Sequence, residues 1–182
     1  MLRLSIHAAL AAAAAISCFS CLICAAGVER DGSSTTRLHF FMHDMVNLQN
    51  PANATTALVA GPKNNLATLA SLGSVMVIDD KLTEGPSPDS PLVGRAQGFY
   101  MSDSTSISSL GLFITFTAVL NNGTISLHGQ DNVLDREREI AVIGGTGAFR
   151  SAAGYAIIST NKMIPPLSVI LDVQVFLRLR AS

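Results

Sequence analysis

The stretch that decides the fold is VIDDKLTEG, residues 77–85, which is followed after a short gap by VGRAQGFY, residues 93–100. We interpret the first piece as a strand that closes on the paired carboxylates Asp79 and Asp80, and the second piece as a new strand. Between them, GPSP at residues 85–88 contains two prolines, which remove two backbone donors from any sheet ladder. The pattern predicts a strand, an exposed turn and a second strand.

The rest of the chain beyond the N-terminus divides into similar short segments, each bounded by turn residues. None of them shows a sustained 3.6-residue apolar period. The clearest is the last, where every second residue from Val169 to Leu179 is apolar, opposite Asp172 and Gln174. Such alternation is typical of a half-buried antiparallel strand. The predicted strands are residues 38–43, 55–60, 72–79, 93–102, 112–120, 124–129, 138–143, 155–160 and 168–179.

Two polar runs predict the turns. Asn121-Asn122-Gly123 suits a primed hairpin turn, because Asn and Gly accept positive φ values at low cost. The run IGGTG at residues 143–147 is interpreted as a tight turn that needs positive φ, since no lysine follows it and it joins two strands instead of opening a helix. About eight strands with few uncovered edges predict closure. The expected fold is all-β, an eight-stranded antiparallel barrel in one domain, residues 38–182.

The first 26 residues are expected to lie outside this domain. A short positive start, an apolar alanine-rich stretch and a small-residue end are the features of a secretory signal peptide, residues 1–26. All three cysteines, Cys18, Cys21 and Cys24, lie in this stretch, so the mature chain would have no thiol and no disulfide. A membrane anchor is disfavoured because no basic stop-transfer flank follows. We predict a flexible segment over residues 27–37 and secretion to the extracellular space.

The composition argues against several kinds of partner. The chain has 12 basic and 13 acidic residues, with a formal net charge of −1 and no basic cluster. This balance disfavours nucleic acid and anionic membranes. His39, His43 and His128 show no metal-ligand spacing, and no cofactor motif is present, so we expect no metal and no cofactor. Sequons at Asn53 and Asn122 predict N-glycosylation in the secretory pathway.

Several pieces of the chain, in their order and spacing, resemble the plant dirigent family. They are LHFFMHD at residues 38–44, NATT at 53–56, the two stretches quoted first, and IGGTGAF at 143–149. The resemblance covers nearly all of the chain beyond residue 37. Dirigent proteins form eight-stranded antiparallel barrels of the allene-oxide-cyclase type that associate as trimers. The resemblance therefore implies the same barrel and a homo-oligomer, either a trimer or a dimer.

The resemblance also implies a function in which the protein itself oxidises nothing. A separate laccase or peroxidase makes phenoxy radicals from a monolignol such as coniferyl alcohol, and the dirigent protein orients two radicals so that their coupling to a lignan is stereoselective. A carboxyl group in an apolar barrel has a raised pKa and can protonate the quinone methide that coupling produces. By resemblance, Asp44, Asp131 and Arg138 line the pocket, with the two aspartates as acids and Arg138 as the positioning cation.

The residues alone leave other interpretations open. By position, Asp44 and Asp131 are equally well explained as strand-end or turn carboxylates. Asp79 and Asp80 form a second carboxylate pair, but adjacent strand residues point to opposite faces of a sheet. We therefore expect the Asp79-Asp80 pair to have a structural role at the loop into Lys81.

The product also stays open, because the chain departs from the pinoresinol-forming members. Met101-Ser102-Asp103 stands where those members often have an aromatic residue, and Gln130-Asp131-Asn132 replaces Ala-Asp-Pro. One alternative is a cyclase that acts on a closed-shell substrate; another is a phenol-binding protein or lignin-deposition scaffold that leaves coupling racemic. Phe99, Tyr100 and Phe116 are candidate pocket residues, although an aromatic residue in a strand is first a core residue.

Overall fold

The structure is a computed structural model that describes residues 29–30, 35–47, 52, 54–62, 71–106, 110–165 and 168–179. The predicted signal peptide, its three cysteines and the sequon residue Asn53 lie outside these residues. Strands and the turns between them dominate the described part of the chain. None of the helices in these ranges is long and apolar enough to cross a membrane.

The described residues form ten strands, and each of the nine predicted segments corresponds to one of them. The strand predicted over residues 72–79 was ended too early. It continues past Asp79 as far as Thr83, because its last residues pair with a second neighbouring strand. The strands are β1 Glu29–Arg30, β2 Thr35–Asp44, β3 Thr56–Ala60, β4 Val75–Thr83, β5 Leu92–Ser102, β6 Gly111–Leu120, β7 Gly123–Asn132, β8 Arg138–Gly145, β9 Ala153–Ile164 and β10 Ser168–Arg178.

Eight of these strands close into an antiparallel barrel, as predicted. The order around the barrel is β2, β10, β9, β8, β7, β6, β5 and β4. Strand β4 pairs back to β2 and closes the ring, with Phe41 opposite Thr83, Met42 opposite Leu82 and His43 opposite Lys81. The short strands β1 and β3 lie beside this ring, and β3 pairs with the first part of β4, where Thr56 faces Ile78. Strand β4 therefore changes partner from β3 to β2 between Ile78 and Lys81, and we call this place the seam.

Alternating side chains fill the interior of the barrel. In β10, Leu171, Val173, Val175 and Leu177 are buried, which confirms the pattern read from the sequence. An interior of this kind is apolar, so each polar group inside it requires a partner or a function. The largest fully buried side chains are Phe40, Leu38, Met42, Met76, Ile78, Leu82, Ile125, Leu127, Ile140, Ile158, Leu177 and Val173.

Because neighbouring strands are antiparallel, the connections alternate between the two ends of the barrel. We call the end at which β2, β5, β7 and β9 finish the upper end, and the end at which β4, β6 and β8 finish the lower end. The GPSP turn, residues 85–88, lies at the lower end with Pro86, Ser87 and Pro88 exposed, as predicted.

The β6–β7 hairpin forms where it was predicted, but its turn differs in detail. Positive φ occurs at Gly123, at +150°, and at neither Asn121 nor Asn122, so the expected positive φ at the asparagine positions was wrong. Gly123 packs against the β8–β9 connection, where an added Cβ would lie 2.2 Å from the Thr146 carbonyl oxygen. In that connection Gly147 has a φ of +59°, which confirms the predicted turn.

Candidate functional site

Two carboxyl groups meet inside the barrel at the seam. Asp44 is the last residue of β2, and Asp80 lies in the second half of β4. The β2–β4 ladder ends at the pair His43 and Lys81, so Asp44 and Asp80 lie immediately beyond it on the two strands, and the charge of Asp44 acts on Asp80. Both side chains continue the inward-facing alternation of their strands and are 7% and 0% exposed. The fold therefore brings together two carboxylates that lie 36 positions apart in the sequence.

Two consecutive threonines hold these carboxyl groups. The Thr55 hydroxyl donates to Oδ1 of Asp80, and the Thr56 hydroxyl donates to Oδ1 of Asp44. Thr55 is itself fixed, because its hydroxyl accepts a hydrogen bond from the Met45 backbone N–H at 2.9 Å. The entry into β3 thus sets the orientation of both acids.

Burial makes the seam acids hard to ionise. Burial raises the pKa of Asp44 to about 6, although hydrogen bonds from Thr56 and Tyr100 act in the opposite direction. Burial, followed by the charge of Asp44, raises the pKa of Asp80 to about 9. Burial and the two neighbouring carboxylates also raise the pKa of Tyr100, so its hydroxyl stays protonated and donates to Asp44. Asp44, Asp80 and Tyr100 form one cluster, which we call the seam acid cluster.

The other two predicted residues form a buried ion pair on β7 and β8. Nε of Arg138 lies 2.8 Å from Oδ1 of Asp131, and both residues are 4% exposed. Nη1 of Arg138 also donates to the Thr160 hydroxyl at 3.0 Å and to the Asp135 carbonyl oxygen at 3.4 Å. Burial raises the pKa of Asp131, and the charge and hydrogen bond of Arg138 pull it down.

The seam acid cluster and the ion pair share the upper end of the barrel. Asp44 and Asp131 lie at or near the ends of β2 and β7, Tyr100 lies near the end of β5, and Arg138 is the first residue of β8. All of these strand ends are at the upper end, and all four side chains are buried. Chemistry at the two places would therefore be reached from the same side.

The structure separates the two members of the Asp79-Asp80 pair. Asp79 lies on the outer face, where Arg95 Nε donates to it at 2.5 Å and Gln97 donates at 3.1 Å. These contacts lower its pKa. The expectation of opposite faces is thus met, but both residues lie within β4 and not at a loop. The functional role of Asp80 was underestimated. The sequence signal that could have revealed it is the alternation of Met76, Ile78 and Asp80, which places Asp80 on the inward face.

Other predicted positions fall in different parts of the molecule. Tyr100 and Phe116 are buried inside the barrel, whereas Phe99 is 38% exposed on the outer face, so it does not line the interior. His43 donates to the Thr83 hydroxyl at 2.7 Å, and burial lowers its pKa. In the described ranges, no group of three or more His, Cys, Asp or Glu residues is placed to hold a metal ion. Asn122 is exposed in the lower-end hairpin.

The geometry defines a class of protein. The class is a closed antiparallel barrel whose apolar interior contains acids that resist ionisation and a buried arginine paired with Asp131. The acids can donate protons near neutral pH, and the arginine can orient an oxygen.

Comparison with known proteins identifies the family within this class. The sequence profile described as "Dirigent-like protein" matches residues 35–178. The chain is 37% identical over 147 residues to Dirigent protein 1 of Arabidopsis thaliana, which covers 78% of each chain. It is 41% identical over 127 residues to Pterocarpan synthase 1 of Glycine max, covering 66% of each. A solved pterocarpan synthase dirigent protein superposes with a TM-score of 0.73 at 34% identity, covering 81% of this chain and 86% of the other. The chain belongs to the dirigent family.

Proposed function

We propose that the protein binds phenoxy radicals of monolignols, such as coniferyl alcohol, and directs the stereochemistry of their coupling to lignans. A separate laccase or peroxidase removes one electron and one proton from each phenol. The observation that carries this proposal is the presence of two acid-bearing clusters at the same end of a closed apolar barrel. Family membership supports it as well.

The proposed chemistry needs orientation and then proton transfer. Two radicals combine by forming one carbon–carbon bond, which gives a bis-quinone methide without further oxidation. In each ring closure, a side-chain hydroxyl oxygen attacks the quinone methide carbon, the quinone methide oxygen gains a proton, and the hydroxyl loses one. Holding both radicals in one geometry selects the faces that react. An acid beside the quinone methide oxygen lowers the barrier to closure.

The site residues have distinct roles in this proposal. Asp44 supplies the proton, because its raised pKa keeps a proton available in mildly acidic surroundings and Tyr100 holds its carboxyl group in place. Asp131 holds Arg138 while it is a carboxylate and is the second acid when it takes up a proton, and Arg138 is the cation that orients a phenol or hydroxyl oxygen. A guanidinium held by a buried carboxylate keeps its direction, which is what selection between two faces requires.

A second candidate is a cyclase that acts on a closed-shell substrate. The specific observation in its favour is the similarity to pterocarpan synthases, at 41% sequence identity and a TM-score of 0.73 in the examples above. A protonated carboxyl group can give its proton to a benzylic hydroxyl, which leaves as water. A phenol oxygen of the same molecule then forms the new carbon–oxygen bond, and the phenol proton returns to the carboxylate. This reaction uses the same acids and needs no oxidase.

The deciding experiment is chiral chromatography of the products. A laccase oxidises coniferyl alcohol with and without the protein, and we expect enrichment of one lignan enantiomer only when the protein is present. Asp131→Ala should reduce the enrichment, whereas Asp103→Ala should not, because Asp103 is an exposed residue that pairs with Gln130. Full enrichment by Asp131→Ala would contradict the role of Asp131.

The other outcomes separate the alternatives. The cyclase would be favoured if the lignan is racemic and the protein, without an oxidase, converts a phenol that carries a benzylic hydroxyl group. Racemic lignan and no turnover would favour a phenol carrier or lignin-deposition scaffold.

We further propose that the protein acts outside the cell as a homo-oligomer. The outer wall of the barrel presents the cross-strand pair Val77 and Phe99, which are 45% and 38% exposed, and a second copy would cover such a surface. Sedimentation of the purified protein tests this, and a monomer at micromolar concentration would contradict it.

A further inference from the structure

Asp80 has an oxygen atom that the fold does not use. Its side chain is 0% exposed, and Oδ1 accepts a hydrogen bond from Thr55. Oδ2 is buried and makes no hydrogen bond to any of the described residues. Leaving a buried polar atom unpaired is unfavourable, so an atom of this kind is a candidate for ligand contact.

Among the described residues, the pKa of Asp80 is affected by two neighbouring carboxyl groups, Asp44 and Asp79, and by one cation, Arg95. Asp44 lies just beyond the last β2–β4 pair, and the Tyr100 hydroxyl donates to Asp44. The charge of Arg95 acts on Asp80 only weakly, because Arg95 lies outside the barrel in contact with Asp79, and Arg138 is occupied by Asp131. Two neighbouring carboxyl groups in an apolar interior cannot both ionise, so the pair keeps at least one proton.

We propose that Asp44 and Asp80 act as one acid pair that holds an uncharged oxygen of the ligand, with Asp80 donating a hydrogen bond to that oxygen through Oδ2. The oxygen belongs to a phenol, an alcohol or a quinone methide carbonyl group. This inference deepens the proposed function and rests on it for the phenolic nature of the ligand. It makes Asp80 a further binding residue beside Asp44, Asp131 and Arg138.

The requirement for an uncharged oxygen follows from electrostatics. A ligand carboxylate at the seam would place another negative charge against Asp44 and Asp80, in a region where a charge–charge interaction is weakly screened. A hydroxyl or carbonyl oxygen meets no such repulsion. It accepts the proton of Asp80 as a hydrogen bond, while Asp44 remains free to exchange its own proton.

The first test counts protons on the pair without any ligand. In protein labelled with ¹³C at the aspartate carboxyl carbons, NMR at pH 7 should show the resonance of a protonated carboxyl group. This resonance should be absent from the spectrum of Asp80→Asn. The matched control is Asp79→Asn, which removes the adjacent carboxylate on the outer face and should keep the resonance. A wild-type protein in which every buried aspartate is ionised at pH 7 would overturn the inference, and so would retention of the resonance in Asp80→Asn.

The second test measures binding of coniferyl alcohol by calorimetry without an oxidase. Asp80→Leu removes the donor and should weaken binding by about threefold to tenfold. Asp80→Asn keeps an acceptor for Thr55 and offers an amide donor, so it should restore the affinity to within about twofold of wild type.

The outcomes of this test are distinct from those for lignan coupling. A folded Asp80→Leu that binds as tightly as wild type would overturn the inference. If Asp80→Leu does not fold, the Asp80 carboxyl resonance of the wild type must shift when coniferyl alcohol is added, and an unchanged resonance would be contrary evidence. Racemic lignan together with Asp80-dependent binding would contradict the proposed function alone.

Discussion

Arg138 and Asp131 face each other across β7 and β8 with 2.8 Å between Nε and Oδ1, and both are almost completely removed from solvent. Such a pair is costly to form and more costly to break, since removal of one partner leaves an isolated charge in an apolar interior. Substitutions in this pair can therefore be followed by two independent measurements, the free energy of unfolding and the stereoselectivity of the proposed coupling.

Arg138→Met should destabilise the protein by about 3 kcal/mol, because Asp131 then has no cation and must take up a proton to remain buried. The double variant with Asp131→Asn should recover part of this loss. Urea unfolding at pH 7 measures both changes. As a control, Arg95→Met breaks the exposed pair with Asp79 and should cost less than about 1 kcal/mol. Equal losses of unfolding free energy in Arg138→Met and Arg95→Met would contradict the structure.

The pH dependence of stability should reveal Asp80. Its pKa is raised from 3.8 to about 9 in the folded state, so the unfolded chain releases this proton at a lower pH than the folded protein does. The stability that results is complete below about pH 4 and is lost as the pH rises towards 9, by about 1.4 kcal/mol per pH unit at most. Asp80→Asn should remove this loss, and urea unfolding at pH 5, 7 and 8.5 measures the difference. If the free energies of unfolding of Asp80→Asn and of the wild type differed by the same amount at every pH, the result would argue against a protonated Asp80.

Two glycines in one turn region allow a matched comparison at the lower end. Gly147 has a φ of +59°, and an added Cβ would lie 2.4 Å from the Asn122 carbonyl oxygen. Gly147→Ala should therefore cost at least about 1 kcal/mol. Gly144→Ala, where an added Cβ meets no atom within 4 Å, should change stability by less than about 0.5 kcal/mol. Thermal unfolding of the two variants checks the order.

Asn122 should carry an N-glycan when the full chain is expressed in a eukaryotic secretory host. The residue is exposed at the tip of the β6–β7 hairpin, and its backbone carbonyl, not its side chain, accepts the hydrogen bond from Ala148. Asn122→Gln should reduce the apparent mass by one glycan, whereas Asn121→Gln, outside the sequon, should not. No change in mobility after enzymatic removal of N-glycans would contradict the prediction.

The strand pattern was predictable because it depends on residues close together in the sequence. Alternation in β10 and the prolines at residues 86 and 88 identify a strand and a turn without reference to the rest of the chain. Prediction failed where a distant neighbour matters. Strand β4 continues past Asp79 because β2 pairs with it there, and Gly123 carries the positive φ because the β8–β9 connection packs against it.

The candidate site divides in the same way. Resemblance to the family directed attention to Asp44, Asp131 and Arg138, and the structure buries all three at the upper end of the barrel. Asp80 was set aside because adjacent strand residues face opposite ways, so that Asp79 and Asp80 cannot easily share one substrate. The register of β4 against β2 and the hydrogen bond from Thr55 place it inside.

The sequence by itself determined the fold class, the number of strands in the barrel and the positions of its turns, because side-chain alternation and turn chemistry are local properties. Only the tertiary structure decided which polar groups meet: Asp44 with Asp80 across the seam, and Arg138 with Asp131 on adjacent strands. The physical reason is that an acid keeps its proton, or gains a partner, through burial and contacts supplied by strands far away in the chain.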